Sequence, residues 1–279
     1  MKKIRLFAFF NLLALAIHIA VAYMTQSGLI HEKNAGQVSD RYNSLFTPAE
    51  ITFSIWGVIY TCLLFCCIYH LLMSSRHGEN HHANACVQKI GPWFILNNLG
   101  AVAWLLTWTN EMITLSVGLI FFQLVSLIII HRRTGIHDPY SPVDFKIFTQ
   151  FPLSIYFGWL TFAAIANISI YLVASGWNGF GLNYSALEWT RIIIGASVFM
   201  TLVVIFRRRN VFFGLVIIWG LYGIILKRRS INVDLYADLI KTAWIGIGII
   251  ATSCIIQFIL NISVKKKQPL FPEATSSPK

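Results

Sequence analysis

Tyr156, Trp159, Ala163 and Asn167 recur at spacings of three and four residues inside an otherwise apolar run. At helical pitch that spacing places them along one face. Trp56 and Tyr60 stand four apart in an earlier apolar run, with Glu50 before them, and Asn97, Asn98 and Trp104 occur in a third. Indole offers a broad apolar face with one N–H donor, and a buried amide can orient a ligand by one hydrogen bond. A flat hydrophobic molecule suits such a wall. The same residues also suit ordinary interhelical packing and hydrogen bonding, and periodicity alone leaves both readings open.

Other chemistry is poorly served. No Ser/His/Asp, Cys/His or paired-carboxylate grouping falls in one layer, so no catalytic residue is assigned. His18 and His70 lie in apolar runs without readable partners. His77, His81 and His82 crowd the stretch from Ser74 to Gly91, which is expected to be a solvated histidine-rich loop. No acidic or thiolate set of diagnostic spacing completes a metal site there, so none is assigned. Cys62, Cys66 and Cys67 fall inside an apolar run, Cys86 and Cys254 stand apart, and none forms a CxxC pair. They read as small buried hydrophobes.

The elements that must position these residues are membrane helices. The chain has 279 residues, 56% of them hydrophobic and only 12% charged, with a mean hydropathy of +0.65. Soluble domains carry about twice that charge. Apolar runs fall at about 6–29, 50–73, 92–108, 112–131, 151–174, 187–206, 211–226 and 239–264. The fold class is therefore all-α, a polytopic transmembrane bundle of about eight spans. The third and fourth runs form a tight hairpin, and the seventh is short for a span. Residues 135–150, with Asp138-Pro139 and Ser141-Pro142, read as a linker. Residues 265–279 read as a polar, disordered tail.

The net charge of +11 sits at the ends of apolar runs, where topology and lipid headgroups account for it without nucleic acid. The basic start reads as a retained signal anchor. With both termini cytoplasmic, fifteen Lys and Arg fall on the cytoplasmic side and seven opposite, as the positive-inside tendency requires. Lys227-Arg228-Arg229 is the discordant cluster. No charged group sits securely at mid-depth, where an ion-coupled transporter commonly needs one.

The stretch FTPAEITFSIWGVIY, with Pro48, Trp56 and Tyr60, resembles the opening motif of the tryptophan-rich sensory protein, or translocator, family. YFGWLTFAAIAN resembles that family's fifth-helix motif through Tyr156, Trp159, Phe162-Ala163 and Asn167, and Trp104 matches its third-helix tryptophan. The resemblance covers about residues 5–175. It implies a five-helix bundle over 1–175 with a cavity for a tetrapyrrole (a porphyrin or haem-like ligand) or a sterol, in a protein that commonly forms a homodimer. Residues 185–264 would then be a three-helix extension. Several positions depart from the pattern: Glu50 lacks the nearby tryptophan, Ser54 the nearby proline, Ile155 replaces proline, and Ala101 stands where the family has asparagine.

The resulting expectation is an integral membrane protein, with no enzymatic activity assigned, that binds a flat hydrophobic molecule. Trp56, Tyr60, Asn97, Trp104, Tyr156, Trp159 and Asn167 would line the site. A transporter or permease, using glycines such as Gly57 and Gly158 for close packing or movement, is the second reading. A structural or assembly subunit is the third.

Overall fold

A computed structural model of the chain describes residues 1–263 apart from 43, 137, 139 and 178–183. The expected tail, and most of residues 175–184 after the fifth run, lie outside the described residues. The helices are α1 (Lys2–Gln26), α2 (Ala35–Arg41), α3 (Ile55–Arg76), α4 (His82–Ile90), α5 (Trp93–Thr109), α6 (Ile113–Thr134), α7 (Val143–Phe145), α8 (Phe151–Ala174), α9 (Ala186–Arg208), α10 (Val211–Ile231) and α11 (Ala237–Ser263). A 3₁₀ turn at Glu50–Ser54 feeds α3, and a π turn at Lys146–Gln150 feeds α8.

Among the described residues, seven helical segments are long and apolar enough to cross a membrane. The pair α4–α5, bent by 54°, makes an eighth if counted as one span. The bend sits at Gly91, whose φ of 54° ends α4, followed by Pro92, which starts α5. The outer surface is apolar: Phe9, Phe65, Val125, Phe199, Ile255 and Phe258 are all exposed. Water would penalise such a belt, whereas hydrocarbon does not. The chain is a multi-pass integral membrane protein.

Local sequence explains the helix ends. Asn34 and Gln37 form a reciprocal capping box on α2, and Ser185 and Glu188 form one on α9. Asn210 caps α10 through the Phe213 N–H at 3.1 Å. Gly135, at φ 64°, ends α6.

Three expectations need correction. The stretch from Ser74 to Gly91 is not all loop, because its second half is α4, which turns Ala83, Cys86, Val87 and Ile90 inward. The linker at 135–150 becomes helical from Val143, so the fifth span starts earlier than its apolar run. The seventh run is not short: α10 has 21 residues and extends through the basic cluster to Ile231. Lys227 there pairs with Asp40 at 2.7 Å, and the buried Arg228 stacks on Tyr236. Local partners thus hold two of the three charges that the topology count left discordant.

Packing joins α1, α3, α8, α6 and α5 into one bundle, with α5 and α6 as its hairpin. α10 lies against α8, and α9 and α11 pack on α10. Glycines on α10 permit this close approach. A Cβ on Gly220 would enter the Phe162 ring, and one on Gly223 would collide with Thr52 and Pro48. The Ala49 N–H donates to the Gly223 carbonyl at 2.9 Å, and Trp219 Nε1–H donates to the Thr52 carbonyl at 2.9 Å. α10 therefore braces the entry to α3, where Trp56 begins the aromatic wall.

Candidate functional site

A cavity of about 780 Å³ lies between the second half of α1, the start of α2, the start of α3, the end of α5 and the middle of α8. Chain direction puts these parts at the end of the bundle opposite the amino terminus. Tyr23 and Gln26 on α1, Ile51 and Ser54 in the 3₁₀ turn, and Gly57 at the start of α3 form an exposed rim. Trp56, Tyr60, Trp104, Trp159 and Leu105 form the wall.

The aromatic wall is mutually fixed. Trp56 and Tyr60 stack with centroids 5.1 Å apart, as helical neighbours one turn apart can. Trp159 meets Trp56 edge-on at 6.3 Å, and Phe53 meets Trp159 edge-on at 6.0 Å. Edge-on and offset contacts are the favoured aromatic geometries.

Below this wall, the buried His18 joins two helices. Its Nδ1 lies 3.0 Å from Asn98 Oδ1, and its Nε2 lies 3.3 Å from the Tyr60 hydroxyl. Asn98 spends its N–H₂ on the Phe94 carbonyl at 2.8 Å, so its oxygen faces His18 as an acceptor. His18 Nδ1–H then donates, and Nε2 accepts from Tyr60 O–H. The sequence singled out His18, Tyr60 and Asn98 separately but not their contact, because Asn98 and Tyr60 lie 80 and 42 residues from His18.

The α1–α3 loop covers the cavity and is tied down on both sides. Glu111, in the α5–α6 turn, accepts from Lys33 Nζ at 2.8 Å, from the Arg41 guanidinium and from Tyr42 Oη at 3.3 Å. Trp108 Nε1–H donates to the Ala35 carbonyl at 3.0 Å. Across the loop, Asp40 takes Lys227. The Lys33 hydrogen bond outweighs burial and, with Arg41 adding to it, holds the Glu111 carboxyl below the usual glutamate range. Burial, then the neighbouring Glu111 charge, raises the Tyr42 hydroxyl. Glu111 also has φ 58°, a left-handed backbone that a non-glycine residue adopts at a cost of about 1–2 kcal/mol. A short hairpin turn carries that strain and aims the carboxylate at the loop.

The predicted residues divide into two sets. Trp56, Tyr60, Trp104 and Trp159 line the cavity. Asn97, Tyr156 and Asn167 do not. Tyr156 Oη–H donates to Asn97 Oδ1 at 2.7 Å, and Asn97 Nδ2 donates to Ser126 Oγ and the Gln123 carbonyl. Both residues are fully buried and lock α5, α6 and α8 together. Asn167 accepts from Trp104 Nε1–H at 3.0 Å and donates to Ser116 Oγ at 3.1 Å. It lines a side recess of about 30 Å³ that it shares with Trp104, Trp108 and Trp159. Its contact with the wall is indirect, through the tryptophan it holds.

A family profile described as TSPO-like protein matches residues 8–256. The chain belongs to that family. The match runs from α1 into α11, beyond the stretch near 5–175 whose motifs carried the resemblance. No curated protein and no solved structure matched the chain. Membership makes a helix-lined hydrophobic cavity the family-level expectation for this bundle.

Proposed function

We propose that the chain binds a flat hydrophobic ligand of tetrapyrrole or sterol size in the cavity beneath the α1–α3 loop. The observation that carries this reading is the cavity itself: about 780 Å³, walled by Trp56, Tyr60, Trp104 and Trp159. Small-molecule sites run to about 300–1,000 Å³, with apolar walls and a few convergent polar groups. Thr25, Gln26, Asn34, Glu50 and Ser54 supply polar groups away from the ring wall. A planar ligand would lay its apolar body on the indoles and leave polar substituents near those groups. The TSPO-like family is known for porphyrin-like ligands, which fits this division.

The hydrogen-bonded floor of Tyr60, His18 and Asn98 supports binding over passage through the bundle. Beside it, a recess of about 10 Å³ is lined by His18, Trp56, Tyr60, Trp104 and Gln123. A sensor or carrier role fits a site reached from one end.

The test is titration of detergent-solubilised protein with protoporphyrin IX while following tryptophan fluorescence. Saturable quenching at one equivalent is expected, and Trp56→Leu should weaken it about tenfold or more. Quenching that never saturates, or an unchanged affinity in a folded Trp56→Leu variant, overturns the proposal.

A further inference from the structure

At the other end of the bundle, three helical elements bring titratable groups together. His82 is the first residue of α4 and His81 its cap, Asp144 lies in α7, and Tyr69 lies on α3. His82 Nε2 is 3.1 Å from Asp144 Oδ2 and 2.9 Å from Tyr69 Oη. Tyr69 Oη–H reaches Asp144 Oδ2 at 2.8 Å. One ligand atom each from His81, His82 and Asp144 lies within 4.8 Å of the others. All three residues are half-buried.

We propose that His81, His82 and Asp144 form a binding site for a divalent transition-metal ion of the zinc class. Two imidazoles and one carboxylate are the donor set that such ions take, while magnesium and calcium prefer oxygen. Tetrahedral zinc with bonds of about 2.0–2.1 Å holds its ligands about 3.3 Å apart. The 3.1 Å between His82 Nε2 and Asp144 Oδ2 needs only a few tenths of an ångström of expansion. Neutral His81 has one ring lone pair, which meets the Ala83 N–H at 3.3 Å, a long contact that a metal ion can replace. Tyr69 then remains a hydrogen-bond donor to Asp144, and water takes the fourth position.

The frame around the cluster is built to hold it. Asn84, fully buried, donates from Nδ2 to the carbonyls of His77 and Gly78 at 3.0 and 2.9 Å. That fixes the turn leading to His81 and His82. His77 stacks on His81 at 4.4 Å, and His81 lies 4.1 Å from the His82 ring. A bound ion would tie the start of α4 to the entry to α8, with Tyr69 of α3 hydrogen-bonded to the same carboxylate. Sequence spacing hid this site because Asp144 lies 62 residues beyond His82.

The test uses the full chain in detergent, without a histidine tag and stripped by chelator. Cobalt(II) reports by the visible bands of a tetrahedral site, and zinc is titrated by calorimetry. One equivalent should bind, zinc should displace cobalt, and excess magnesium should not compete. Asp144→Asn and His81→Asn should each weaken zinc at least tenfold. His81→Asn keeps a side-chain acceptor for the α4 cap, so it tests coordination even if Asp144→Asn unfolds. Absence of saturable cobalt or zinc binding overturns the site. So does wild-type affinity in His81→Asn, which would leave the cluster as a hydrogen-bonded triad alone. Porphyrin binding at the other end is a separate readout, so either result stands without the other.

Discussion

Gly57 offers a clean way to separate cavity occupancy from fold stability. It lies on α3 at the cavity rim, and a Cβ built there meets nothing within 4 Å. Gly57→Leu therefore starts its side chain in open space at the rim. In a helix interior, glycine is about 0.8–1.0 kcal/mol less favourable than alanine, and leucine is close to alanine. The variant should be as stable as the parent or more so, by about 0.5–1 kcal/mol. The ligand should lose contact with the wall. If about four ligand atoms withdraw, at about 0.3 kcal/mol per atom for a drug-sized ligand, the loss is about 1.2 kcal/mol. That is slightly less than a tenfold rise in Kd. Fluorescence titration with protoporphyrin IX and thermal unfolding, on the same detergent preparation, read the two quantities. Full affinity in a variant that melts no earlier than the parent would refute occupancy of this mouth.

Glu111→Gln should free the α1–α3 loop, because an amide cannot hold Lys33 and Arg41 as an ion pair. Amide exchange across residues 27–49 should accelerate, with little change in the core of α5 and α6. The pH response has a fixed sign: the Glu111 carboxyl is lowered in the folded state, so its contribution is present above the ordinary glutamate value and lost as pH falls through the folded one. Loop protection should stay level from neutral pH to about 4.5 and fall below it, and Glu111→Gln should flatten that fall. Tyr156→Phe should cost about 1–3 kcal/mol, by leaving Asn97 Oδ1 buried without its donor, yet leave porphyrin affinity unchanged. A large affinity loss in a folded Tyr156→Phe variant would mean that the bundle interior, not the cavity beneath the loop, holds the ligand.

The spans were legible because hydrocarbon imposes a length and an apolar composition on each of them. The fifth apolar run and α8 share the limits Phe151–Ala174. What composition missed was short and amphipathic: α4 is too short and too polar to read as a span, yet its Cys86, Val87 and Ile90 pack inward. Within the candidate site, periodicity correctly grouped Tyr156, Trp159, Ala163 and Asn167 along one helix. It could not tell which neighbours each meets. Trp159 and Ala163 reach the cavity, whereas Tyr156 meets Asn97 and Asn167 meets Trp104 and Ser116. Those partners lie 51 to 63 residues away, a separation on which helical spacing carries no information.

The later helices bear on the cavity through one of their number. α10 touches the 3₁₀ turn before α3, and Gly223 lets Thr52 and Pro48 sit against its backbone. The Trp219 and Ala49 bonds fix that turn from the α10 side, while Glu111 and Trp108 fix the loop from the α5–α6 side. The loop over the cavity is therefore held between two supports, only one of which belongs to the first five spans. A site held this way loses less freedom when a rigid planar ligand arrives than one whose cover must be ordered by binding. On this account α9 and α11 act at one remove, by packing on the helix that braces the turn. The family match extending to residue 256 accords with a bundle in which the later helices share the framework of the earlier ones.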